Sequence, residues 1–499
     1  MSQRLLLFYG SLLTLLSSCT FGKIVAHFKP DTTDHHKVFA CDTLPSTTPD
    51  QVSLELAQAY EAPWAEAAQL DALPPLSQWV TASDLQAGEA FHHLMQRTKT
   101  TAFLVLRNDS LLYEQYANGG QRAQARIVFS VTKALVATLA AIAIDDGQLR
   151  LDQPVSDFIP AFAEDHRQTL CIQHLMNMTT GLRWNDFTDI WKLGNLYYTG
   201  DQARYVHRRA QYRYAPGTHF AYQSLSTQIL GLCLEKALAR PLADYFRTKL
   251  WEPLGMTYEG YVTLDSKKHR HARTFGGFAL TARDMARFGQ LMLHEGRWRG
   301  RQLVPSWFIQ ALRTRDSQRW FGYRHSYWRS GYEEANWQEN KQHWAAGFLG
   351  QYIFIAPQEQ VVIVRQGDEE VDNWVFWLGR LTALLDRGRN DLTDPALDHS
   401  AQFAGHYQSL DARKYIKLDR QVPKRGPVYW TWRHNMPHCD GNDKLERLLQ
   451  LDGISIGRKT RHKQTRLYYV LDADGKVEGF YYHAFPAVKT TYFQKIEGR

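Results

Sequence analysis

Only 5 cysteines occur in the 499 residues, and none lies at close-pair spacing from another, which excludes a zinc knuckle or a paired-thiol redox motif. Long apolar runs are also missing. The most apolar stretch near the start, Leu5 to Leu16, is too short to cross a bilayer as an ordinary helix. Internal repeats are not apparent, which argues against solenoids and propellers. No His-Glu-x-x-His and no clustered His/Asp spacing occurs, so neither a metal nor another cofactor is expected. Charge of one sign is not in large excess. A formal net charge of +8 is modest for this length, compatible with an anionic envelope, and no nucleic-acid partner is expected. What is present is a globular composition, 44% apolar and 22% charged, in a chain long enough for two or three units.

The start of the chain reads as an export signal. Arg4 precedes the Leu5–Leu16 run, which has the length of a signal core, and Leu16-Ser17-Ser18-Cys19 looks like a bacterial lipobox. Residues 1–18 are therefore expected to be a signal peptide, with Cys19 lipidated and 19–70 a tether and N-terminal segment. Acyl chains on Cys19 would anchor the protein at the cell envelope, facing the periplasm or exterior. An uncleaved anchor or a plain secretory signal is the competing reading. Cys171 and Cys233 sit in apolar helical contexts and read as buried thiols, and no disulfide is expected.

Ser130-Val131-Thr132-Lys133 opens an apolar run from Ala134 to Ile144 that is expected to be a helix buried on nearly every side. Ser130 and Lys133 then share one helix face, one turn apart. A lysine amine desolvated among apolar neighbours loses its proton more readily and can activate a serine nucleophile. A surface Ser and Lys at the start of a core helix fit the same four residues. Around this helix, Asp84 to Gln96 reads as a helix with Ser83 as N-cap. Thr101–Arg107 and Leu111–Tyr116 read as a hairpin turned at Asn108-Asp109. Tyr352–Ile355 and Val361–Arg365 form a second hairpin turned through Pro357, followed by a helix over Asn373–Leu385. Strands at both ends of a helical region imply one sheet closed by both ends of the chain. Residues 71–395 are assigned to this unit, and 396–499 to a small basic β-rich domain.

The order of motifs resembles the serine hydrolases related to class C β-lactamases. That group also holds DD-peptidases, β-lactamase-fold carboxylesterases and 6-aminohexanoate-dimer hydrolases. The resemblance covers about Ala102 to Leu385. It rests on Phe129-Ser130-Val131-Thr132-Lys133 with Asp145-Asp146-Gly147-Gln148-Leu149, Leu151-Asp152 and Pro154-Val155 after it, then His174-Leu175-Met176-Asn177-Met178-Thr179-Thr180-Gly181-Leu182. It continues through Pro216-Gly217-Thr218-His219-Phe220-Ala221-Tyr222-Gln223-Ser224, Trp251-Glu252-Pro253-Leu254-Gly255-Met256 and Gly276-Gly277-Phe278. Thr281-Ala282-Arg283-Asp284-Met285-Ala286-Arg287-Phe288-Gly289 and Ala346-Gly347-Phe348-Leu349-Gly350-Gln351-Tyr352 complete it. The implied fold is α+β, an antiparallel sheet flanked by helices with an inserted helical region, as in β-lactamases and DD-peptidases.

The resemblance implies Ser130 as nucleophile and Lys133 and Tyr222 as general acid/base. A phenol, with a reference pKa of about 10, is a poor base until a nearby cation lowers it. Ser224 stands where many relatives carry Asn, which weakens or removes a substrate amide contact. An oxyanion hole is expected from the Ser130 N–H and the edge strand near Ala345 to Gly350. Gly347 and Gly350 let backbone approach substrate closely, or serve the strand-entry turn. The Lys-Thr-Gly of β-lactamases is replaced by Gln342-His343-Trp344, which argues against penicillins and towards esters or small amides. For His343 an active-site role and a packing role are both open. Among Trp184, Trp191, Tyr197, Tyr198, Trp320 and Tyr323, some are expected to line an apolar acyl pocket.

The expected function is an exported serine hydrolase acting on a small-molecule ester or amide through an acyl-enzyme, with the membrane reached by lipidated Cys19 and no protein partner. The alternatives are a cell-wall DD-peptidase or true β-lactamase, and a non-catalytic binding protein of the same fold.

Overall fold

The computed structural model describes residues 39–46 and 89–369, with interruptions at 165–167, 187, 315–321 and 330–341. It also describes residues 73, 76 and 80, the helix at 374–387, and eight strands between 405 and 496. Cys19 and the signal, Ser83, Trp320 and Cys439 lie outside the described residues.

In chain order the first elements are β1 (Cys41–Leu44), α1 (Phe91–Arg97), β2 (Thr100–Arg107), β3 (Ser110–Tyr116) and β4 (Arg126–Ile127). Helix α1 starts later than the sequence suggests. Ala90 is extended at φ −88°, ψ 159°, and residues 84–88 of the expected helix lie outside the described residues. The segment read as a tether contributes β1, which pairs with a strand far along the chain. Asn108 and Asp109 both have positive φ, 48° and 63°, the left-handed pair that a two-residue hairpin turn needs.

Helices α2 (Val131–Asp145), α3 (Ile172–Met176), α4 (Ile190–Tyr198), α5 (Gln202–Arg209) and α6 (Ser224–Leu238) form the central region. After them come β5 (Gly260–Thr263), β6 (Phe278–Leu280), α7 (Ala282–Leu293), β7 (Tyr323–Arg324), β8 (Tyr327–Arg329), β9 (His343–Gly347), β10 (Gln351–Ala356), β11 (Val361–Gly367) and α8 (Trp374–Arg387). The main sheet runs β3-β2-β11-β10-β9-β8-β7, all antiparallel neighbours. Strands β2 and β11 pair from Ala102 opposite Gln366 to Arg107 opposite Val361, so both ends of this region close one sheet. A smaller sheet runs β1-β5-β6-β4 and leads directly into Ser130.

The main sheet is apolar on both faces because both are covered. Leu104, Leu106, Ile353, Ile355, Val362 and Val364 belong to the core that contains α2 and α7. Their alternating neighbours Phe103, Val105, Phe354, Val361 and Ile363 pack with Phe91, Trp374, Trp377 and Leu378 on the other face. Period-2 side-chain alternation thus distributes one apolar run between two cores. Helix α2 is buried along nearly its whole length.

Between Gly405 and Ile496 the chain forms eight antiparallel strands, each paired with the next and the last with the first, in a closed barrel. Closure leaves no free sheet edge.

Candidate active site

Ser130 occupies the N-cap of α2 with helical backbone angles, φ −66° and ψ −9°, and its hydroxyl caps no backbone amide. The residue before it, Phe129, has φ +44°, a left-handed conformation that costs a non-glycine residue on the order of 1 kcal/mol or more. The turn is held from both sides. Phe129 packs edge-on against Phe348 at 5.6 Å, and Val128 N–H donates to the Phe278 carbonyl at 2.9 Å. Thr132 accepts the Phe278 N–H on its hydroxyl at 3.1 Å, tying α2 to β6.

Lys133 is fully buried, at 1% exposure. Its Nζ donates to Ser130 Oγ at 2.7 Å and to the Phe275 carbonyl at 2.7 Å. Loss of solvent pulls the ammonium down to about 8, while the charge of Asp186 acts in the opposite direction. An amine so placed is partly neutral near neutral pH and is within reach of the serine proton.

The Tyr222 ring centroid is 5.2 Å from Lys133 Nζ. The ring is stacked on Trp328 at 5.3 Å and meets Tyr323 edge-on at 5.7 Å. Its loop is fixed by the segment around Thr180-Gly181. Ala221 N–H donates to the carbonyl of Met178 at 3.1 Å, and Met178 itself has φ +55°. Gln223, 1% exposed, accepts from Thr180 Oγ1 at 2.6 Å and donates to the carbonyls of Leu182 and Trp184 at 3.0 and 2.8 Å. A buried amide so satisfied locks the two loops together.

Ser224 is directed to another group. Its hydroxyl donates to Asp186 Oδ2 at 2.6 Å and its N–H to Asp186 Oδ1 at 2.8 Å. His343 is fully buried and packs edge-on against Tyr327 at 5.9 Å. The Tyr327 hydroxyl bonds in turn to Thr138 of α2 at 3.0 Å. Alternation along β9 turns His343 to the α2 side of the sheet, the side to which Ala345 also points.

Strand β9 is not the outermost strand of the sheet, as β7 and β8 lie beyond it. Yet β8 pairs with it only through Trp328 opposite Trp344 and Arg329 opposite His343. From Ala345 onward no strand covers that edge among the described residues. Gly347 lies so close to the Ser130 turn that a Cβ there would overlap the Val128 carbonyl. The Ser130 N–H has no backbone acceptor among the described residues. The open edge and this N–H together can accept a substrate carbonyl oxygen. Gly350, at φ +81°, turns the chain over a buried guanidinium: Arg365 Nη1 donates to the Gly350 carbonyl at 2.6 Å, Nε to Thr100 Oγ1 at 2.9 Å and Nη2 to the Thr98 carbonyl at 2.9 Å.

Of the aromatic residues named from the sequence, Tyr323 touches Tyr222 and Trp184 is buried with its Nε1 donating to Asp186 at 2.7 Å. Tyr197 packs on Phe275, whereas Trp191 and Tyr198 are exposed at 47% and 46%. Sequence reasoning missed Asp186, Arg365, Phe275 and Trp328. Only the place of Phe275 immediately before Gly276-Gly277 could have drawn attention to one of them.

With this geometry in place, comparison with known proteins is informative. A family model described as Beta-lactamase matches residues 87–366. The 6-aminohexanoate-dimer hydrolase of Paenarthrobacter ureafaciens is 25% identical over 317 residues, covering 58% of this chain and 78% of that enzyme. Esterase EstB of Burkholderia gladioli is 29% identical over 159 residues, 28% of this chain and 39% of its own length. A solved structure from Bacillus anthracis, provisionally assigned as a 6-aminohexanoate-dimer hydrolase, superposes with a TM-score of 0.58 at 20% identity, over 72% of this chain and 93% of its own. That last likeness concerns the fold.

Proposed function

Since this chain belongs to the β-lactamase family of serine hydrolases, we propose that it cleaves a carboxylic ester or small amide through a Ser130 acyl-enzyme. The observation that carries this reading is the fully buried Lys133 amine, 2.7 Å from the Ser130 hydroxyl and, among the described residues, in no ion pair with a carboxylate. Neutral Lys133 takes the Ser130 proton as Oγ attacks the carbonyl carbon. Tyr222, beside the ammonium so formed, passes a proton to the leaving oxygen or nitrogen. The Ser130 N–H and the open edge of β9 stabilise the oxyanion. Water then hydrolyses the acyl-enzyme with the same groups acting in reverse.

Esters and small amides are favoured over penicillins because Gln342-His343-Trp344 stands where the β-lactamases carry Lys-Thr-Gly, so the lysine that meets a substrate carboxylate is missing from that motif. Export and anchoring through Cys19 belong to the same proposal, supported by the Leu5–Leu16 run and the lipobox-like residues before Cys19. Mass spectrometry of the mature N-terminus tests that part, and an unmodified N-terminus at another residue sinks it.

The catalytic part is tested with nitrophenyl esters of graded acyl length alongside nitrocefin. Ser130→Ala is expected to abolish hydrolysis and fluorophosphonate labelling with the fold intact, and Lys133→Ala to cost nearly as much, since the two act as a unit. Nitrocefin turnover matching the best ester would replace this reading with that of a true β-lactamase.

A further inference from the structure

Asp186 lies in the loop before α4 and is 6% exposed. Both its carboxylate oxygens are committed. Oδ1 accepts from the Trp184 indole at 2.7 Å and from the Ser224 N–H at 2.8 Å, and Oδ2 accepts from the Ser224 hydroxyl at 2.6 Å. Its own N–H donates to the Tyr222 carbonyl at 3.0 Å. The residue therefore grips the Tyr222-Gln223-Ser224 segment on both sides of Gln223, immediately before α6 begins. A buried carboxylate is costly unless its lone pairs are satisfied and a positive charge is close. The segment that Asp186 holds carries Tyr222, whose ring centroid is 5.2 Å from Lys133 Nζ, and the charge of Asp186 opposes the effect of burial on that amine.

Resting on the acyl-transfer reading above, we propose that Asp186 is a positioning residue: it fixes the Tyr222-Ser224 segment against the floor of the site and supplies the negative charge against which Lys133 works. The groups around Lys133 are Ser130 on its own helix, Tyr222 from the loop before α6, the Phe275 carbonyl from the loop before β6, and Asp186. Tyr323 of β7 lies on the far side of Tyr222 and also feels Asp186. Asp186 thus opposes the effect of burial on Lys133. It keeps the resting amine from losing its proton too completely, so that an ammonium remains available when the leaving group needs a proton.

The pH profile of ester hydrolysis by the full chain, from about pH 5.5 to 10, tests this. Rate rises with pH as Lys133 becomes a base. Removing the negative charge in Asp186→Asn weakens proton binding by Lys133, so the acid limb is expected to move to lower pH by about half a unit or more. With it, kcat is expected to fall about 10-fold while KM stays within about twofold. Ser224→Ala keeps the charge but loses the hydroxyl contact, so it should lower kcat severalfold and leave the acid limb in place. An Asp186→Asn profile with the wild-type midpoint overturns the proposal however far kcat falls, since a merely structural role moves no midpoint. If Asp186→Asn does not fold by circular dichroism, a Ser224→Ala enzyme at wild-type kcat overturns it. Ser130→Ala in the same assay keeps the levels apart. Residual turnover there sinks the acyl-enzyme reading, whereas an unmoved midpoint beside an inactive Ser130→Ala sinks only the role of Asp186.

Discussion

At the scale of single residues, loss of water makes the Lys133 ammonium a stronger acid than an ordinary lysine, so that its amine is more often neutral. In the proposed mechanism Tyr222, whose ring centroid is 5.2 Å from Lys133 Nζ, passes protons between that amine and the substrate. Tyr222→Phe preserves the stacking on Trp328 and the edge contact with Tyr323 but deletes the hydroxyl. Hydrolysis is expected to slow by roughly two to four orders of magnitude, the usual scale of a lost acid/base group, with substrate affinity changed far less. A Phe variant within twofold of wild type would leave Tyr222 only a packing role. That Ser130, Lys133 and Tyr222 come together was legible in the sequence because each sits in a short motif whose neighbours dictate local backbone. Asp186 was not, because its partners Trp184, Ser224 and Lys133 meet only after three separate segments have folded. For His343 the motif left its role open, and only the pairing of β9 shows which side of the sheet the side chain takes.

At the scale of elements, the hairpins and the buried helix were readable from turn chemistry and uninterrupted apolar runs. The Asn108-Asp109 turn and the β10–β11 pair fall where expected, within a residue or two at their ends. The short strands β7 and β8 were not readable, since two or three residues carry no periodicity. Nor was the early start of α1 corrected until Ala90 was seen extended. In the proposed mechanism β9 borders the oxyanion site, and its approach to the Ser130 turn depends on Gly347. A methyl group there meets the Val128 carbonyl, backbone that cannot swing aside. Gly347→Ala is expected to cost about 1–3 kcal/mol in stability and to lower kcat more than KM, because the oxyanion donors move apart. Urea unfolding and steady-state kinetics on one preparation would check both, and a variant unchanged in each would show that β9 can shift freely.

At the scale of the whole molecule, two half-buried histidine–carboxylate pairs link segments distant in sequence. His294, which ends α7, bonds Asp109 in the β2–β3 turn at 2.6 Å, and His271 bonds Glu235 of α6 at 2.7 Å. Donating a hydrogen bond to the carboxylate raises each imidazole above its usual value, against the opposing effect of burial. Burial alone would raise the Asp109 carboxyl, but His294 brings it below its ordinary range. A histidine that holds its proton more tightly when folded stabilises fully below its unfolded pKa of about 6.5, and that contribution is lost as pH rises through the folded value. The Asp109 contribution is present above its unfolded value and is lost as pH falls through the folded one. The melting temperature is therefore expected to decline between about pH 6 and 8, and His294→Gln to flatten that decline. A variant with the wild-type slope would assign the decline to other groups.

The pairing of β2 with β11 sets a timetable for synthesis. The β2–β3 hairpin emerges from the ribosome early, yet the strand that covers its inner edge lies about 250 residues later. At ordinary elongation rates that is a wait of roughly 10–50 s. Throughout it, β2 presents an apolar, unpaired edge that any other extended strand can extend. A message broken between Tyr222 and Val361 would yield a chain holding Ser130, Lys133 and Tyr222 but no partner for that edge, and such a fragment is expected to aggregate instead of hydrolysing anything. For this chain, unlike one whose sheet is built from consecutive strands, reaching its final third intact is a condition of staying soluble.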